Sequence, residues 1–144
     1  METDSLPFGE LIKRLNTIYE KRANNNMRER DMTVSQMKML VALDEAPENT
    51  VPLKEMERYF GVAQSTAAGV VMRLEKKGLI QSQADPADRR VKLLTLTDAG
   101  RQMCSQSRTE MNLFDDRMLS CLAEPEKIQL LWLLSRIYES EKDT

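Results

Sequence analysis

Apolar positions along the first part of the chain recur at helical spacing. From Pro7 onwards they follow one another at steps of three and four residues, which predicts one amphipathic helix running to the asparagines at 24–26 or slightly beyond. The apolar positions of this helix are Phe8, Leu11, Ile12, Leu15, Ile18 and Tyr19. Thr33 and Gln36 then have the spacing of a capping box, in which each side chain satisfies a free backbone N–H. A second helix, with inward positions Val34, Met37, Leu40 and Val41, is therefore predicted to end near Pro47.

The middle of the chain predicts a helix-turn-helix. A third, short helix has its first turn at Pro52 and its apolar positions at Leu53, Met56 and Phe60. Gly61 supplies the turn after it, and the helical period resumes at Val62. Lys76, Lys77 and Gly78 mark the end of the fourth helix, because cations stabilise the negative end of the helix dipole and glycine readily becomes left-handed. Two short helices joined by a glycine turn are typical of a helix-turn-helix.

A hairpin and two long helices are predicted for the remainder. Residues 79–83 and 91–97 are β-prone, and the turn-forming, charged residues 84–90 between them predict a hairpin with a basic tip. Thr97 caps a fifth helix and Pro125 starts a sixth. The apolar residues of the sixth helix surround most of its axis: Ile128, Leu130, Leu131, Trp132, Leu133, Leu134, Ile137 and Tyr138. A terminal helix of this kind favours packing against a second copy of the chain, although burial within one subunit stays open.

Composition narrows the class of protein. The 144 residues predict a single domain, and 41% hydrophobic with 31% charged residues indicate a globular chain. Histidine is absent, which excludes imidazole bases and the commonest metal ligand, so neither an enzyme nor a metal or cofactor site is expected. No membrane span or signal peptide is recognisable, and a cytoplasmic location is expected. Cys104 and Cys121 are expected on one helix, about 25 Å apart, as free thiols.

Charge is unevenly distributed along the chain. The net charge is -2, yet residues 62–92 contain six basic and three acidic side chains, a segment charge of +3 that leaves -5 for the rest. The basic segment includes both the fourth helix and the tip of the hairpin. The charge is therefore polarised along the sequence.

Three stretches resemble the MarR (multiple antibiotic resistance regulator) family of bacterial transcription factors. They are Arg73–Ile80 (RLEKKGLI), Asp85–Arg90 (DPADRR) and Leu96–Gly100 (LTDAG). The resemblance implies a mainly α fold with a small β-hairpin (α+β), namely a winged helix-turn-helix flanked by N- and C-terminal dimerisation helices. The winged core would then cover 32–100 of a single domain over 1–144, and residues 1–30 and 101–144 would form the dimer.

The resemblance also implies a homodimeric, sequence-specific DNA-binding repressor that recognises an inverted-repeat operator in double-stranded DNA. The fourth helix would enter the major groove, and the wing arginine Arg90, held by Asp88, would enter the minor groove. The expected DNA-binding residues are Gln64, Ser65, Thr66, Ala68, Arg73, Lys77, Asp88, Arg89 and Arg90. Lys77 is expected to contact a phosphate. Gly69 inside the fourth helix indicates either close helix packing or close approach to DNA.

A small aromatic or lipophilic effector is the last implication of the resemblance, since such ligands bind where helices 1, 2 and 5 of the family meet. The residues expected to line this crevice are Leu15, Tyr19, Met37, Leu40, Met103 and Met111. The same side chains could equally close into solid core. The rival function is a winged helix that binds another protein instead of an operator, and the Asp88 and Arg90 pair argues for DNA.

Overall fold

The structure, a computed structural model, describes residues 6–61 and 64–144, and its fold confirms the predicted class. It is mainly helical, with one small antiparallel sheet. In chain order, the elements are α1 (Phe8–Glu29), α2 (Val34–Glu45), a 3-10 turn (Pro47–Asn49), β1 (Thr50–Pro52), α3 (Leu53–Phe60), α4 (Gln64–Lys76), β2 (Ile80–Ala84), β3 (Lys92–Leu96), α5 (Asp98–Met118) and α6 (Glu124–Glu141).

Two predicted helix caps are present. The Gln36 N–H donates to Thr33 Oγ1 and the Thr33 N–H donates to Gln36 Oε1, both at 3.2 Å, which confirms the capping box of α2. At the start of α5, the Gly100 N–H donates to Thr97 Oγ1 at 3.1 Å. Each cap satisfies backbone donors that a helix start leaves free, so both helices begin at the predicted threonine.

The sheet contains one strand more than the predicted hairpin. β3 lies between β2 and the short β1 in an antiparallel sheet, and Pro52 pairs with Leu93 in its register. Pro52 therefore ends a strand, and the prediction that it lies in the first turn of a helix is wrong. The sequence gives no sign of β1, because three residues are too few to show the alternation of side chains that predicts a strand. Asn49 holds the 3-10 turn before β1 in place, because its side-chain amide donates to the carbonyls of Leu43 and Asp44 at 3.2 and 3.0 Å.

The core forms where the helix-turn-helix packs on the sheet. Its largest fully buried side chains are Met39, Leu40, Leu43, Met56, Leu74, Ile80 and Leu94. Val34, predicted to face inward from α2, is 48% exposed, and the buried residues of that helix are Gln36, Met39, Leu40 and Leu43. The capping box explains the difference, since it turns the amide of Gln36 inward at the first turn of the helix.

The chain divides into two compact units, where one domain was predicted. The first ends at Glu110 and contains the winged helix with α1, and the second is Met111–Thr144. In the second unit α6 contributes no buried residue. α5 ends at Met118, so Cys121 lies beyond it, and the prediction of both cysteines on one helix is wrong. Beyond Met118 the backbone continues in turns, in which the Ser120 N–H donates to the Arg117 carbonyl and the Leu122 N–H donates to the Leu119 carbonyl.

Candidate nucleic-acid interface

The second helix of the helix-turn-helix, α4, is buried along one face and open along the other. Ala67, Val71 and Leu74 are exposed by 2% or less and attach the helix to the core. The open face contains Ser65, Thr66, Ala68, Met72 and Arg73. Four of the predicted DNA-binding residues thus lie on one exposed face. Gln64 is the first residue of the helix, whereas the predicted start at Val62 lies outside the described residues.

Gly69 is placed near the centre of this open face. A Cβ built on Gly69 would meet one neighbouring atom, Arg73 Nη1 at 3.8 Å, which is an ordinary van der Waals contact. The described part of the chain therefore has room for a side chain here. Close helix packing, one of the two explanations of this glycine, is not found.

Met72 is an apolar residue of the open face that the sequence interpretation did not include. Its side chain is 66% exposed, one turn away from Ala68 and Gly69. An exposed thioether beside small residues is suited to a thymine methyl group in a major groove. The available signal was its position between two core residues, Val71 and Leu74, which places it on the outer side of the helix.

The hairpin tip is an ordered turn. The Asp85 N–H donates to the Val91 carbonyl at 2.8 Å, and the Val91 N–H donates to the Asp88 carbonyl at 2.9 Å. Asp85 Oδ1 accepts the Ala87 N–H at 2.9 Å, as aspartate commonly does in turns. At the base of the hairpin, Ser82 Oγ donates to Glu75 Oε1, which joins β2 to α4. The wing is therefore held in a fixed position relative to the helix.

Asp88 and Arg90 form a bidentate pair at this tip. Arg90 Nε donates to Asp88 Oδ1 at 3.1 Å, Nη2 donates to Oδ2 at 3.2 Å, and the Arg90 N–H donates to Oδ1 at 3.1 Å. The side chain of Arg90 is nonetheless 91% exposed. The side-chain hydrogen bond from Arg90 lowers the pKa of Asp88, so the pair persists as pH falls through the usual carboxyl range and separates only at the lowered pKa. Arg89 is exposed beside it.

A groove of about 740 Å³ lies between α3 and the wing. Arg90 and Asp88 form part of its wall, together with Pro52, Leu53, Lys54, Glu55, Glu57, Arg58, Val91 and Lys92. Lys54, Arg58 and Lys92 were not predicted as site residues, because only folding brings α3 beside the wing. They add three cations to a groove wall that also contains the carboxylates of Glu55, Glu57 and Asp88.

Lys77 lies at the other end of α4, and its ammonium group is bonded within the protein. Nζ donates to the Asp31 carbonyl, to Gln36 Oε1 at 3.2 Å and to Met32 Sδ at 3.7 Å, and it lies 3.9 Å from Asp31 Oδ2. The side chain is 31% exposed. Arg73, by contrast, is exposed on the open face of α4. The structure thus separates two cations that were both expected to contact DNA.

The six residues expected to line an effector crevice are distributed over different environments. Leu40 is fully buried, and Met37 and Met103 pack against the core from partly buried positions. Leu15 and Tyr19 are 46% and 39% exposed on α1, and Met111 belongs to the second unit. A cavity of about 490 Å³ lies instead between α2 and α3, and its walls include Ala42, Val51, Met56, Arg58 and Tyr59.

The two cysteines differ in environment, and neither forms a disulfide. Cys104 is buried and Cys121 is exposed. Burial of the Cys104 thiol and, to a smaller extent, the nearby Asp44 carboxylate raise its pKa to about 11, against an opposing effect of Arg108. Among the described residues no group of histidine, cysteine and acidic side chains is arranged to hold a metal ion. None of the described helices combines the length and apolar character needed to cross a bilayer.

Taken together, two short helices joined by a left-handed glycine, Gly61 with φ 59°, and a hairpin with a charged tip define a winged helix-turn-helix protein. Residues 32–92 match the MarR family model. The winged helix-turn-helix of this chain is thus similar to that of the MarR family of transcriptional regulators.

Individual curated relatives are similar over part of the chain. The HTH-type transcriptional repressor NicR of Pseudomonas putida is 27% identical over 89 residues, 62% of this chain and 56% of NicR. The uncharacterized HTH-type transcriptional regulator YdgJ of Bacillus subtilis is 26% identical over 103 residues, 72% of this chain and 62% of YdgJ. The chain therefore spans less than two thirds of the length of these curated relatives.

Solved structures share the fold over nearly the whole chain. The Bacillus subtilis protein YusO superposes with a TM-score of 0.82 at 24% identity, covering 91% of this chain and 92% of YusO. A variant of MepR from Staphylococcus aureus, bound to an oligodeoxyribonucleotide, superposes with a TM-score of 0.78 at 20% identity, covering 94% and 99%.

Proposed function

We propose that this protein is a homodimeric, sequence-specific DNA-binding regulator that acts as a repressor. α4 enters the major groove with the open face defined by Ser65, Thr66, Ala68, Met72 and Arg73, and the wing places Arg90 in an adjacent minor groove. The observation that carries the proposal is the Asp88–Arg90 pair at the wing tip. Two similar proteins support it: NicR is described as a repressor, and a MepR variant has been solved with DNA.

The wing pair has the properties that minor-groove recognition requires. A narrow groove concentrates negative potential and attracts a guanidinium group, provided that the group is extended and free to enter. Arg90 is 91% exposed, and its two bonds to Asp88 reduce the number of rotamers that the side chain must lose on binding. Protein-interaction modules have no comparable need for a solvent-exposed guanidinium at a hairpin tip. DNA is therefore favoured over a protein partner.

Dimerisation is proposed from the apolar surface that the single chain leaves open. On α6, Leu131, Trp132, Leu134 and Ile137 are exposed by 53%, 57%, 38% and 44%. On α1, a row of apolar side chains is open as well: Phe8, Ile12, Leu15, Ile18 and Tyr19. A monomeric protein rarely leaves such continuous apolar surfaces in water, and a two-fold partner buries the same patch on both copies.

The proposed function includes release of DNA by a small aromatic or lipophilic ligand. Its support is the thioether-rich set around α2 and α5, where Met37 and Met103 are partly buried beside the core. Because Leu40 is fully buried, a ligand that contacts it must first open the core. A ligand can shift DNA binding only through its different affinities for the bound and free conformations.

Selection of binding sites from randomised DNA tests the proposed function. The purified chain is incubated with a pool of random duplexes, and the bound fraction is amplified and sequenced over several rounds. We expect an inverted repeat whose half-sites are one helical turn, about 34 to 36 Å, apart. Analytical ultracentrifugation at about micromolar concentration should show a dimer. Failure to enrich any sequence would contradict operator recognition, and a monomer would contradict the two-fold arrangement.

A further inference from the structure

The C-terminal end of α4 is attached to the junction of α1 and α2 by one side chain. Lys77 follows the last residue of α4, and its ammonium group reaches the Asp31 carbonyl and the amide of Gln36. An ammonium group has three N–H donors. The third is directed to Met32 Sδ at 3.7 Å, so the acceptors of the protein itself account for all three donors.

The junction that holds Lys77 is itself firmly fixed. Gln36 is 5% exposed and is shared by the capping box of α2 and by Lys77. Asn26, also 5% exposed, donates to Glu110 Oε2 at 2.9 Å and accepts the Ser107 hydroxyl at 3.0 Å. The end of α1 is thereby bonded to α5, and Arg30 adds an ion pair to Glu110 at 3.2 Å. Lys77 therefore connects α4 to a rigid frame.

We propose that Lys77 is a positioning residue for α4 rather than a phosphate contact, an inference that rests on the proposed DNA binding. The apolar contacts of Val70, Val71 and Leu74 hold α4 against the core, but hydrophobic burial does not depend strongly on orientation. Hydrogen bonds are directional, and those of Lys77 fix the angle of the helix. Ser65 is twelve residues from Lys77, about 18 Å along the axis, so a swing of about 5° moves it by about 1.6 Å. Such a shift is enough to break a hydrogen bond to a base.

Salt dependence separates positioning from phosphate contact. The test compares wild type with Lys77→Met, which removes the ammonium group and keeps the apolar stem. Each protein is titrated against the duplex enriched by wild type and against a scrambled duplex, over a series of salt concentrations. A positioning residue should lose about tenfold in affinity for the enriched duplex, with unchanged affinity for the scrambled duplex and an unchanged salt slope. A phosphate contact would instead weaken both complexes and reduce the slope by about one.

Three variants make the result specific. Lys76→Met removes the exposed neighbouring cation and should leave the ratio of the two affinities unchanged. Gln36→Met removes the partner of Lys77 at a buried position that DNA cannot reach, and should lower the ratio as Lys77→Met does. Gln36→Glu keeps an acceptor for both Thr33 and Lys77 and should retain the wild-type ratio. Thermal unfolding of each variant establishes that binding is measured on folded protein.

The outcomes are distinct. A lower salt slope or an unchanged affinity ratio for Lys77→Met overturns the positioning role, and so does an unchanged ratio for Gln36→Met. Enrichment of no duplex by wild type overturns the proposed function itself.

Discussion

Replacement of Gly100 by alanine tests how tightly the first turn of α5 packs against Leu79 and Leu96 at the base of the wing. A Cβ at this position would lie 2.3 Å from the Leu79 carbonyl oxygen and 2.5 Å from Leu96 Cδ1. The leucine side chain can adjust, but the carbonyl belongs to the backbone and would have to retreat by about 1 Å to reach ordinary contact. That carbonyl also accepts the Thr97 N–H at 3.1 Å, so its movement weakens the hydrogen bond at the start of α5.

The loss of stability follows from three contributions. Overpacking of a tight site costs about 1 to 3 kcal/mol, and weakening of the hydrogen bond adds up to about 1 kcal/mol. The higher helix propensity of alanine returns up to about 1 kcal/mol. The last two contributions are of similar size and opposite sign, so the net decrease in unfolding free energy is about 1 to 3 kcal/mol. For a chain of this size, at about 4 °C per kcal/mol, the melting temperature should fall by about 4 to 12 °C.

Differential scanning calorimetry of the variant and of a matched glycine control measures this effect. Gly9→Ala in α1 is the control, because a Cβ there meets no atom of the described residues within 4 Å. Its melting temperature should equal or exceed that of wild type. A Gly100→Ala protein that melts at or above the wild-type temperature would refute the reasoning, since it would mean that the backbone at Leu79 moves without loss.

Three further predictions concern the wing, the apolar surface of α6 and the thiols. Arg90→Ala should weaken DNA binding by about 1 to 3 kcal/mol, with a larger loss on A·T-rich flanks, measured by fluorescence anisotropy. Arg89→Ala serves as control and should show no such dependence on flanking sequence. Leu134→Glu should shift the sedimenting species from dimer to monomer or unfold the chain, because the apolar surface gains a desolvated charge; an unchanged folded dimer contradicts this. At about pH 8, Cys121 should react with iodoacetamide while Cys104 reacts only after unfolding, because the thiolate of Cys104 forms only as pH approaches its raised pKa of about 11. Mass spectrometry of the labelled chain shows which thiol reacts first, and rapid labelling of Cys104 in the folded protein would contradict its burial.

Local chemistry was sufficient to predict most of the fold. Thr33 with Gln36, and Thr97 before α5, provide caps whose partners lie within three residues, so both helix starts were correctly predicted. β1 was missed because its stability comes from pairing with β3 more than forty residues away, and three residues show no pattern of their own. Such long-range pairing is a property of the folded chain and not of the segment.

The contacts of the site were predictable from the sequence where both partners lie in one short segment. Asp88 and Arg90 are two residues apart, and the structure pairs them as the sequence indicated. Lys77 shows the opposite case, since a lysine at a helix end gives no sign that Asp31 and Gln36 will meet it. Cationic character alone therefore led to a phosphate contact as the expectation. The distinction required contacts across more than forty residues of sequence.

Apolar packing and polar junctions determine different features of this fold. The core around Leu40, Leu74 and Leu94 determines that the helices and sheet associate, and any side chains of similar volume and hydrophobicity would serve. The polar junctions, at Lys77 and at the wing pair, determine where α4 and the hairpin point, because hydrogen bonds have preferred directions. The fold is shared with YusO at 24% identity, as expected where different combinations of apolar side chains can form the same core. Under the proposed function, a change at either polar junction should therefore alter which duplex is bound while leaving the architecture intact.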